Sequence, residues 1–286
     1  MIKTALISVS NKEGIVAFSK KLAQKKIKIL STGGTAATLR KAGIPVEDVS
    51  SYTGFPEIMD GRVKTLHPKI AGGVLAVRSD KNHLKQAQEN GIEFIDLVVV
   101  NLYPFKKTVA KEGIEEKEAI EQIDIGGPTL LRSAAKNFAY VTVVADPADY
   151  LRVLKEIEKK GDTSLELRRE LAWKVFQMTS SYDYAIEAWF RRVLGKSELL
   201  DLHYEKVRSL RYGENPHQKA AFFRNPENRD ANVTNAKVRS GKELSFNNIV
   251  DANSALELVK EFEKPTVAFI KHNNPCGIAS AEKIED

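Results

Sequence analysis

The sequence is poor in cysteine, in long apolar runs and in repeated segments. Its 286 residues contain one cysteine, Cys276. A single cysteine excludes an intramolecular disulfide and a thiolate-based metal site within these residues, and we expect no metal. Such sparse cysteine usage is typical of a reducing compartment, so the predicted location is the cytoplasm. No run approaches the roughly 20 apolar residues of a membrane-spanning helix, and we expect no membrane partner.

Acidic residues are outnumbered, since 44 lysines and arginines face 38 aspartates and glutamates and leave a net charge of +6. A positive balance favours anionic ligands such as phosphates. The alternative is that surface lysines only keep the protein in solution. Aromatic side chains are not interleaved with the basic ones in the manner of a nucleic-acid groove, so we expect no nucleic-acid partner.

Up to about residue 146, β-branched apolar runs alternate with helical periods, which predicts an α/β fold. The runs lie at residues 4–7, 27–30, 46–49, 94–102 and 141–145. Nearly continuous apolar strands that alternate with helices predict a parallel sheet with helices on both faces. In such sheets, ligands bind beyond the carboxyl ends of the strands.

A long helix is predicted over residues 163–194, and a domain boundary follows it. Its apolar residues recur every three or four positions, either to pack on their own domain or to form a dimer face. We divide the chain into residues 1–196 and 197–286. The second part offers few strand candidates and one good helix, so we expect it to be the beginning of a larger, truncated domain.

Two strand ends in the first part carry the features of a phosphate site. Residues 31–35 are Ser-Thr-Gly-Gly-Thr and lie between an apolar run and a helical stretch, whose free N–H groups bind anions. Hydroxyls of Ser31, Thr32 and Thr35 would add donors. After the first run, Ser8 and Ser10 point the same way if extended, and Lys12 adds a positive charge. A simple strand-to-helix turn is the alternative.

Two further segments place reactive side chains near strand ends. In residues 54–68, Arg62 and Lys64 would project from one face of an extended loop toward a carbonyl or carboxamide. Asn101 and Tyr103 alternate at the end of the most apolar run, where site residues belong. The alternatives are solvated cations in a structural loop and polar residues that only cap a strand.

Two more segments suit proton transfer. Asp124 precedes Gly126-Gly127-Pro128 at a predicted helix start, and Lys136 lies along the same helix, so that the pair would pass a proton to a reacting amine. In the second part, Lys271 and His272 follow a predicted strand. The alternatives are an ordinary helix start and a solvated lysine.

Together these motifs resemble the bifunctional AICAR transformylase/IMP cyclohydrolase family of purine biosynthesis, in order along the whole chain. The segments similar to its cyclohydrolase domain are Ser8-Val9-Ser10-Asn11-Lys12, Thr32-Gly33-Gly34-Thr35, Gly61-Arg62-Val63-Lys64-Thr65-Leu66-His67-Pro68, Asn101-Leu102-Tyr103-Pro104-Phe105 and Gln122-Ile123-Asp124-Ile125-Gly126-Gly127. The segments similar to the start of its transformylase domain are residues 211–218 and Lys271-His272.

For the first domain the resemblance implies a methylglyoxal-synthase-like parallel sheet that closes formyl-AICAR to IMP without a cofactor. The residues implied to hold the ribose phosphate are Ser8, Ser10, Lys12, Thr32, Gly34 and Thr35. Those implied to contact the carboxamide, formyl and ring groups are Arg62, Lys64, Thr65, Asn101 and Gly126. The implied catalytic residues are Lys64, Tyr103, Asp124 and Lys136.

For the second domain the resemblance implies a cytidine-deaminase-like α/β fold that lacks zinc. This domain transfers a formyl group from formyl-tetrahydrofolate to the amine of AICAR. The matching residues are Arg211, Tyr212 and Asn248 for substrate and Lys271 and His272 for proton transfer. Family members run further, so we expect no transformylase activity here, and a homodimer in the full-length form. A phosphate-binding regulatory module of the same fold is the alternative function.

Overall fold

The computed structural model of the chain describes residues 1–111, 113–196, 202, 204–226 and 228–283. The chain is divided into two compact units, Met1–Ser197 and Glu198–Asp286. The domain boundary predicted between residues 196 and 197 falls at the edge of residues 197–201, which lie outside the described residues.

The first unit is built on a parallel sheet of five strands in the order β3-β2-β1-β4-β5. The strands are β1 (Thr4–Val9), β2 (Lys28–Ser31), β3 (Glu47–Asp48), β4 (Leu97–Asn101) and β5 (Thr142–Val144). All five fall within or beside the predicted apolar runs. The prediction of an α/β fold with a parallel sheet is confirmed.

Ten α-helices accompany this sheet in the described part of the unit. They are α1 (Ile15–Gln24), α2 (Gly33–Lys41), α3 (Val49–Thr53), α4 (Pro68–Leu75), α5 (Lys81–Glu89), α6 (Phe105–Val109), α7 (Glu116–Glu121), α8 (Gly126–Lys136), α9 (Tyr150–Lys160) and α10 (Leu165–Val193). Short 3-10 turns lie at Met59–Gly61 and Pro147–Asp149.

The helices cover both faces of the sheet, as its strand sequences require. Leu6 and Ile7 of β1 are neighbours with side chains on opposite faces, and both are fully buried. Helix α1 packs against α2 and α9, whereas α8 packs against α4 and α10. Because apolar residues on both sides of a strand must leave water, two helical layers are needed.

Helix α10 packs on its own unit along one face. Leu171, Val175, Tyr182 and Trp189 are buried there, at the spacing of one helix face. Trp173 on another face is 61% exposed. The periodic residues therefore serve the unit's interior, which favours the first of the two interpretations of this helix.

The second unit consists of two antiparallel strand pairs and one α-helix among its described residues. Strand β6 (Glu205–Ser209) pairs with β7 (Ala221–Arg224), helix α11 (Phe246–Lys260) follows, and β8 (Thr266–Lys271) pairs with β9 (Asn274–Ser280). The cytidine-deaminase-like architecture expected for the complete domain stays a prediction.

Two strands of this unit were not predicted from the sequence. No apolar run marks β6 in the sequence, because its side chains are mostly polar, and in the structure most of them are exposed. Strand β9 was missed since it contains Pro275 and Gly277, both disfavoured in strands. Residues His272 and Asn273 form the turn that precedes it, and both have positive φ (50° and 63°), as the central residues of a type I′ hairpin turn do.

Candidate active site

A cavity of about 570 Å³ opens at the carboxyl ends of β1, β2 and β4 in the first unit. This volume lies within the range of small-molecule sites. The predicted residues that line it are Ser8, Ser10, Lys12, Thr32, Gly34, Thr35, Arg62, Lys64, Thr65, Asn101, Tyr103, Asp124 and Gly126. Lys136 is not among its lining residues. The strand ends meet here because neighbouring parallel strands end at the same edge of a sheet.

One end of the cavity has the features of an anion site. The N-terminus of α2 begins after Thr32, and no side chain caps it among the described residues. The hydroxyls of Ser8 and Thr32 lie 3.1 Å apart, and the Lys12 ammonium donates to the Val9 carbonyl at 3.2 Å. Unpaired N–H groups, the positive end of the helix dipole and a lysine together favour a phosphate.

Two hydroxyls predicted as phosphate donors are already bonded to the sheet. Ser31 is buried and donates to the Ile7 carbonyl at 2.6 Å. The Thr35 hydroxyl accepts from the Val9 N–H and donates to the Val9 carbonyl, both at 3.0 Å. These hydroxyl protons are therefore not free for a ligand, and the two side chains instead hold the end of β1.

Asn101, at the end of β4, holds the loop that follows β1. Its side-chain oxygen accepts from the N–H groups of Ser10 and Asn11 at 2.7 and 2.9 Å, and its amide donates to the Asn11 carbonyl at 2.9 Å. The family resemblance implies contact between Asn101 and the substrate. In the structure its main contacts fix the position of Ser10 within the cavity.

Asp124 lies at the other end of the cavity, in the loop between α7 and α8. Its carboxylate accepts the Gly127 N–H at 2.8 Å and also the Tyr103 N–H. Burial raises the pKa of Asp124, while those two N–H groups and the Lys64 charge oppose the rise. A half-buried carboxylate with a raised pKa beside a cation is suited to accept and return a proton.

The two glycines at the start of α8 allow this close packing. A Cβ at position 127 would lie 2.4 Å from Oδ2 of Asp124 and 2.9 Å from Cδ2 of Leu102. At position 126 it would lie 3.2 Å from Oγ1 of Thr65. Gly127 is therefore needed so that the Asp124 carboxylate can lie against the helix N-terminus.

The sequence predicts an extended segment around Arg62 and Lys64, but the structure shows a tight turn there. Residues Met59–Gly61 form a 3-10 turn, and an isolated bridge joins Ile58 to Val63. The wrong expectation arose because Met59 and Asp60 adopt positive φ, which residues other than glycine rarely do. The tight turn still brings both cations to the cavity, where Arg62 forms an ion pair with Glu121.

The predicted pairing of Asp124 with Lys136 is not supported by the structure. Asp124 precedes the N-terminus of α8, and Lys136 is its exposed last residue. A rise of 1.5 Å per residue places the two ends of this helix about 15 Å apart. Lys64 is instead the cation that acts on the Asp124 carboxylate.

The predicted residues of the second unit lie around the N-terminal half of α11. Arg211 stacks on the ring of Tyr212 at 4.9 Å and donates to its hydroxyl at 3.2 Å. A hydrogen bond with Ser245, and then the Arg211 guanidinium, lower the pKa of Tyr212. Asn248 completes a capping box with Ser245.

Lys271 ends β8, and His272 begins the hairpin turn, where both are exposed. The next residue, Asn273, donates its N–H to Asp251 on α11 at 2.7 Å. A cavity of about 450 Å³ in this unit is lined by Phe222, Ile249, Asn253 and their neighbours, and by none of the five predicted residues.

Two residues that act on the first site carry no clear signal in the sequence. Glu121, which pairs with Arg62, lies in an acidic stretch that resembles a solvated helix surface. Tyr182 bonds to the backbone around Asp124, and its only sequence signal was membership of the apolar face of α10. Neither contact is encoded by local spacing.

The described part of the chain contains neither a metal-binding cluster nor a membrane-spanning helix. No group of three or more histidine, cysteine, aspartate or glutamate side chains there is placed to hold a metal ion. Among the same residues, no helix has both the length and the apolar character needed to cross a membrane.

We predict that Thr35→Val lowers the free energy of unfolding of the first unit by about 2 kcal/mol, because the Val9 N–H and carbonyl each lose a buried partner. Both tryptophans, Trp173 and Trp189, belong to this unit, so denaturant unfolding followed by their fluorescence reports on it. Thr35→Ser keeps the hydroxyl and is the matched control. Equal stability of parent and valine variant would contradict the structural role.

Two family profiles match the chain. The profile described as "MGS-like domain" matches residues 14–129, and the profile described as "AICARFT/IMPCHase bienzyme" matches residues 134–286. The gap between these two matches, residues 130–133, lies within the first unit in the middle of α8, and not at the border between the units.

Curated relatives match over the whole chain. The protein named "Bifunctional purine biosynthesis protein PurH" is 55% identical in Ruminiclostridium cellulolyticum and 54% identical in Acetivibrio thermocellus, over 100% of this chain and 56% of each relative. The chain thus spans about half the length of the curated relatives it matches.

A solved structure titled "Crystal structure of ForH" superposes with a TM-score of 0.61 at 36% identity, over 66% of this chain and 96% of that one. The bienzyme profile alone covers more than half of this chain. Over the full length of this chain, more than half of its residues are identical to those of each of the two PurH proteins. The chain is therefore a member of the AICARFT/IMPCHase bienzyme family.

Proposed function

We propose that the first unit is an IMP cyclohydrolase, which closes formyl-AICAR to IMP with loss of water. The observation that carries this proposal is the meeting of Lys64, Tyr103 and Asp124 in one cavity whose other end is an anion site. Membership of the bienzyme family and the purine-biosynthesis name of the curated relatives support it.

The anion site orients the nucleotide in this proposal. Its ribose phosphate would lie at the N-terminus of α2, near Ser8, Thr32 and Lys12. The imidazole ring with its two reacting groups would then extend toward Asp124 and Lys64, which line the same cavity. The site would thus hold both ends of one substrate.

Ring closure forms a C–N bond, moves two protons from nitrogen to the formyl oxygen, and breaks the C–O bond so that water leaves and a C=N bond forms. The carboxamide nitrogen attacks the formyl carbon, and Asp124 accepts the proton that this nitrogen loses. Lys64 stabilises the negative charge that develops on the formyl oxygen. That oxygen then takes up the proton held by Asp124 and a second proton from the formamide nitrogen. The C–O bond breaks as water leaves, and a C=N bond forms between the formyl carbon and the formamide nitrogen.

Much of the acceleration would come from placement, because both reacting groups belong to the same molecule. Holding them in contact removes the entropy cost of bringing them together. Tyr103, whose N–H bonds to the Asp124 carboxylate, orders this end of the site. We leave Lys136 out of the proton path, because it lies at the far end of α8.

The second candidate is a regulatory module of the same fold that binds a phosphate without catalysis. The anion site at α2 favours it as much as it favours an enzyme. It does not account for the Asp124 carboxylate beside Lys64 at the opposite end of the cavity. Turnover separates the two candidates, because a module would bind the nucleotide and leave it unchanged.

We predict that this chain converts formyl-AICAR to IMP. The formation of IMP is measured by its ultraviolet absorbance. Asp124→Ala lowers kcat by about 10²–10⁴-fold, since it removes the proton acceptor. Lys64→Ala lowers it by about 10²–10³-fold, since it removes the charge at the formyl oxygen. Tyr103→Phe, which keeps the backbone N–H, retains most of the rate.

The control for this assay is Lys85→Ala, which removes an equal charge from the exposed surface of α5 and should keep the parent rate. If the parent binds IMP but does not form it, the regulatory module is supported instead. Full activity of both Asp124→Ala and Lys64→Ala would overturn the assignment of the site.

The raised pKa of Asp124 predicts the acidic limb of the pH profile. Asp124 must be ionised to accept a proton, so kcat/KM falls as the pH drops through its pKa. Because burial raises that pKa, the midpoint of the limb lies above the value of about 4 for an ordinary aspartate. Gly127→Ala crowds the carboxylate and weakens its N–H bond, which moves the midpoint higher. A parent midpoint at or below 4 would contradict this.

For the second unit we propose participation in formyl transfer from formyl-tetrahydrofolate to AICAR, in a homodimeric full-length protein of the cytoplasm. Support comes from the bienzyme profile over residues 134–286 and from Arg211, Tyr212 and Asn248 around the start of α11. Lys271 and His272 would transfer the proton. The cyclohydrolase itself needs no cofactor in this proposal.

We expect this chain alone to transfer no formyl group, because the cavity of its second unit includes none of those five residues. The measurement is consumption of formyl-tetrahydrofolate in the presence of AICAR. A full-length relative serves as the positive control. Measurable transfer by this chain, lost on His272→Ala, would overturn the expectation.

A further inference from the structure

Tyr182 is outside the set of residues that line the cavity, but its hydroxyl reaches the loop that carries Asp124. The hydroxyl accepts the Asp124 N–H at 2.8 Å and donates to the Gln122 carbonyl at 3.0 Å. One side chain on α10 thus binds two backbone groups, two residues apart, in the loop between α7 and α8.

The ring of Tyr182 is held in a small apolar cluster separate from the main core. This Tyr182 cluster consists of Phe105, Ala119, Tyr182, Ala185 and Trp189, all buried. Phe105 packs edge-on against both aromatic rings, at 6.2 Å from Tyr182 and 6.0 Å from Trp189. Burial of Tyr182 in this cluster limits the positions that its hydroxyl can take.

The same cluster lies next to the segment that carries Tyr103 and to the loop that carries Asp124. Phe105 follows Tyr103 by two residues, and Ala119 belongs to α7, which leads into the Asp124 loop. The Asp124 carboxylate in turn accepts N–H groups from Tyr103 and Gly127. Tyr182 is therefore the contact through which α10 fixes the backbone of Asp124 relative to these partners.

Tyr182 acts here as a neutral hydrogen-bonding group. Burial raises the pKa of its phenol above the ordinary value of 10, so its proton stays in place throughout the working pH range. Without the hydroxyl, the Asp124 N–H and the Gln122 carbonyl, both in half-buried residues, would lose their partner and the loop would move to find others.

We propose that Tyr182 is a positioning residue for the cyclohydrolase reaction, which holds Asp124 at the reacting atoms through the backbone on both sides of Ile123. This inference rests on the proposed function of the first unit. It goes beyond that function because it assigns a role to a side chain that contacts the site only through Asp124. The N-terminus of α2, which would hold the phosphate, is independent of this contact.

The test is a double-mutant cycle with Tyr182→Phe and Asp124→Ala, read out as kcat and KM for formyl-AICAR. We expect Tyr182→Phe to lower kcat about 10- to 100-fold, the cost of a misplaced catalytic group. KM should change less than twofold, because the phosphate contacts are untouched. In the Asp124→Ala background, Tyr182→Phe should have almost no further effect on the residual rate.

Tyr150→Phe is the matched control. Tyr150 is also a buried tyrosine, but it stacks on Phe18 in the main core at 4.5 Å and does not line the cavity. It should keep the parent kcat. Far-UV circular dichroism and KM check the fold of each variant. Tyr182→Leu, which also lacks the hydroxyl, should reproduce the loss in kcat.

The outcomes separate the inference from the function on which it rests. An inactive parent, or an Asp124→Ala variant as active as the parent, defeats the proposed function. An impaired Asp124→Ala variant beside an unimpaired Tyr182→Phe variant defeats only the inference. A loss of kcat from Tyr182→Phe that is equally large in the parent and in the Asp124→Ala background also overturns the inference. Unfolding of both Tyr182 variants overturns it as well, because Tyr182 then serves folding alone.

Discussion

The site depends on how the end of strand β1 is held by its two neighbours. Thr35, at the start of α2, bonds both backbone groups of Val9, and Asn101, at the end of β4, bonds the backbone of Ser10 and Asn11. Parallel strands bring these ends together but leave the loops beyond them free. Because Thr35 and Asn101 are short polar side chains at this edge of the sheet, they hold the backbone in place where the hydrogen bonds between the strands end.

The opposite end of the cavity is ordered in a different way. Asp124 has no strand to hold it, so its position comes from the start of α8, from the N–H of Tyr103 and from Tyr182 on α10. Helix α10 thus links the apolar core to the reacting end of the site. A carboxylate that is half-buried and flanked by Lys64 combines a raised pKa with a nearby positive charge, which is the balance that proton transfer needs.

Local sequence patterns predicted much of this arrangement. The apolar runs predicted all five parallel strands, and residues that follow them, such as Ser8, Thr32 and Asn101, do line one cavity. Local sequence patterns predicted the partner of a side chain less well where more than one partner is possible. Thr35 was expected to face a ligand and instead bonds to Val9, and Lys136 was paired with Asp124 although a helix separates them.

The sequence by itself determined the parallel α/β sheet and the edge at which its polar residues gather, because the apolar pattern of each strand and the alternation of strands with helices are set over short stretches of chain. The tertiary structure alone decided which groups meet across that edge. Glu121 reaches Arg62 over 59 positions of sequence, and Tyr182 reaches Asp124 over 58. Contacts of that span depend on how whole helices pack, and neither composition nor spacing encodes them.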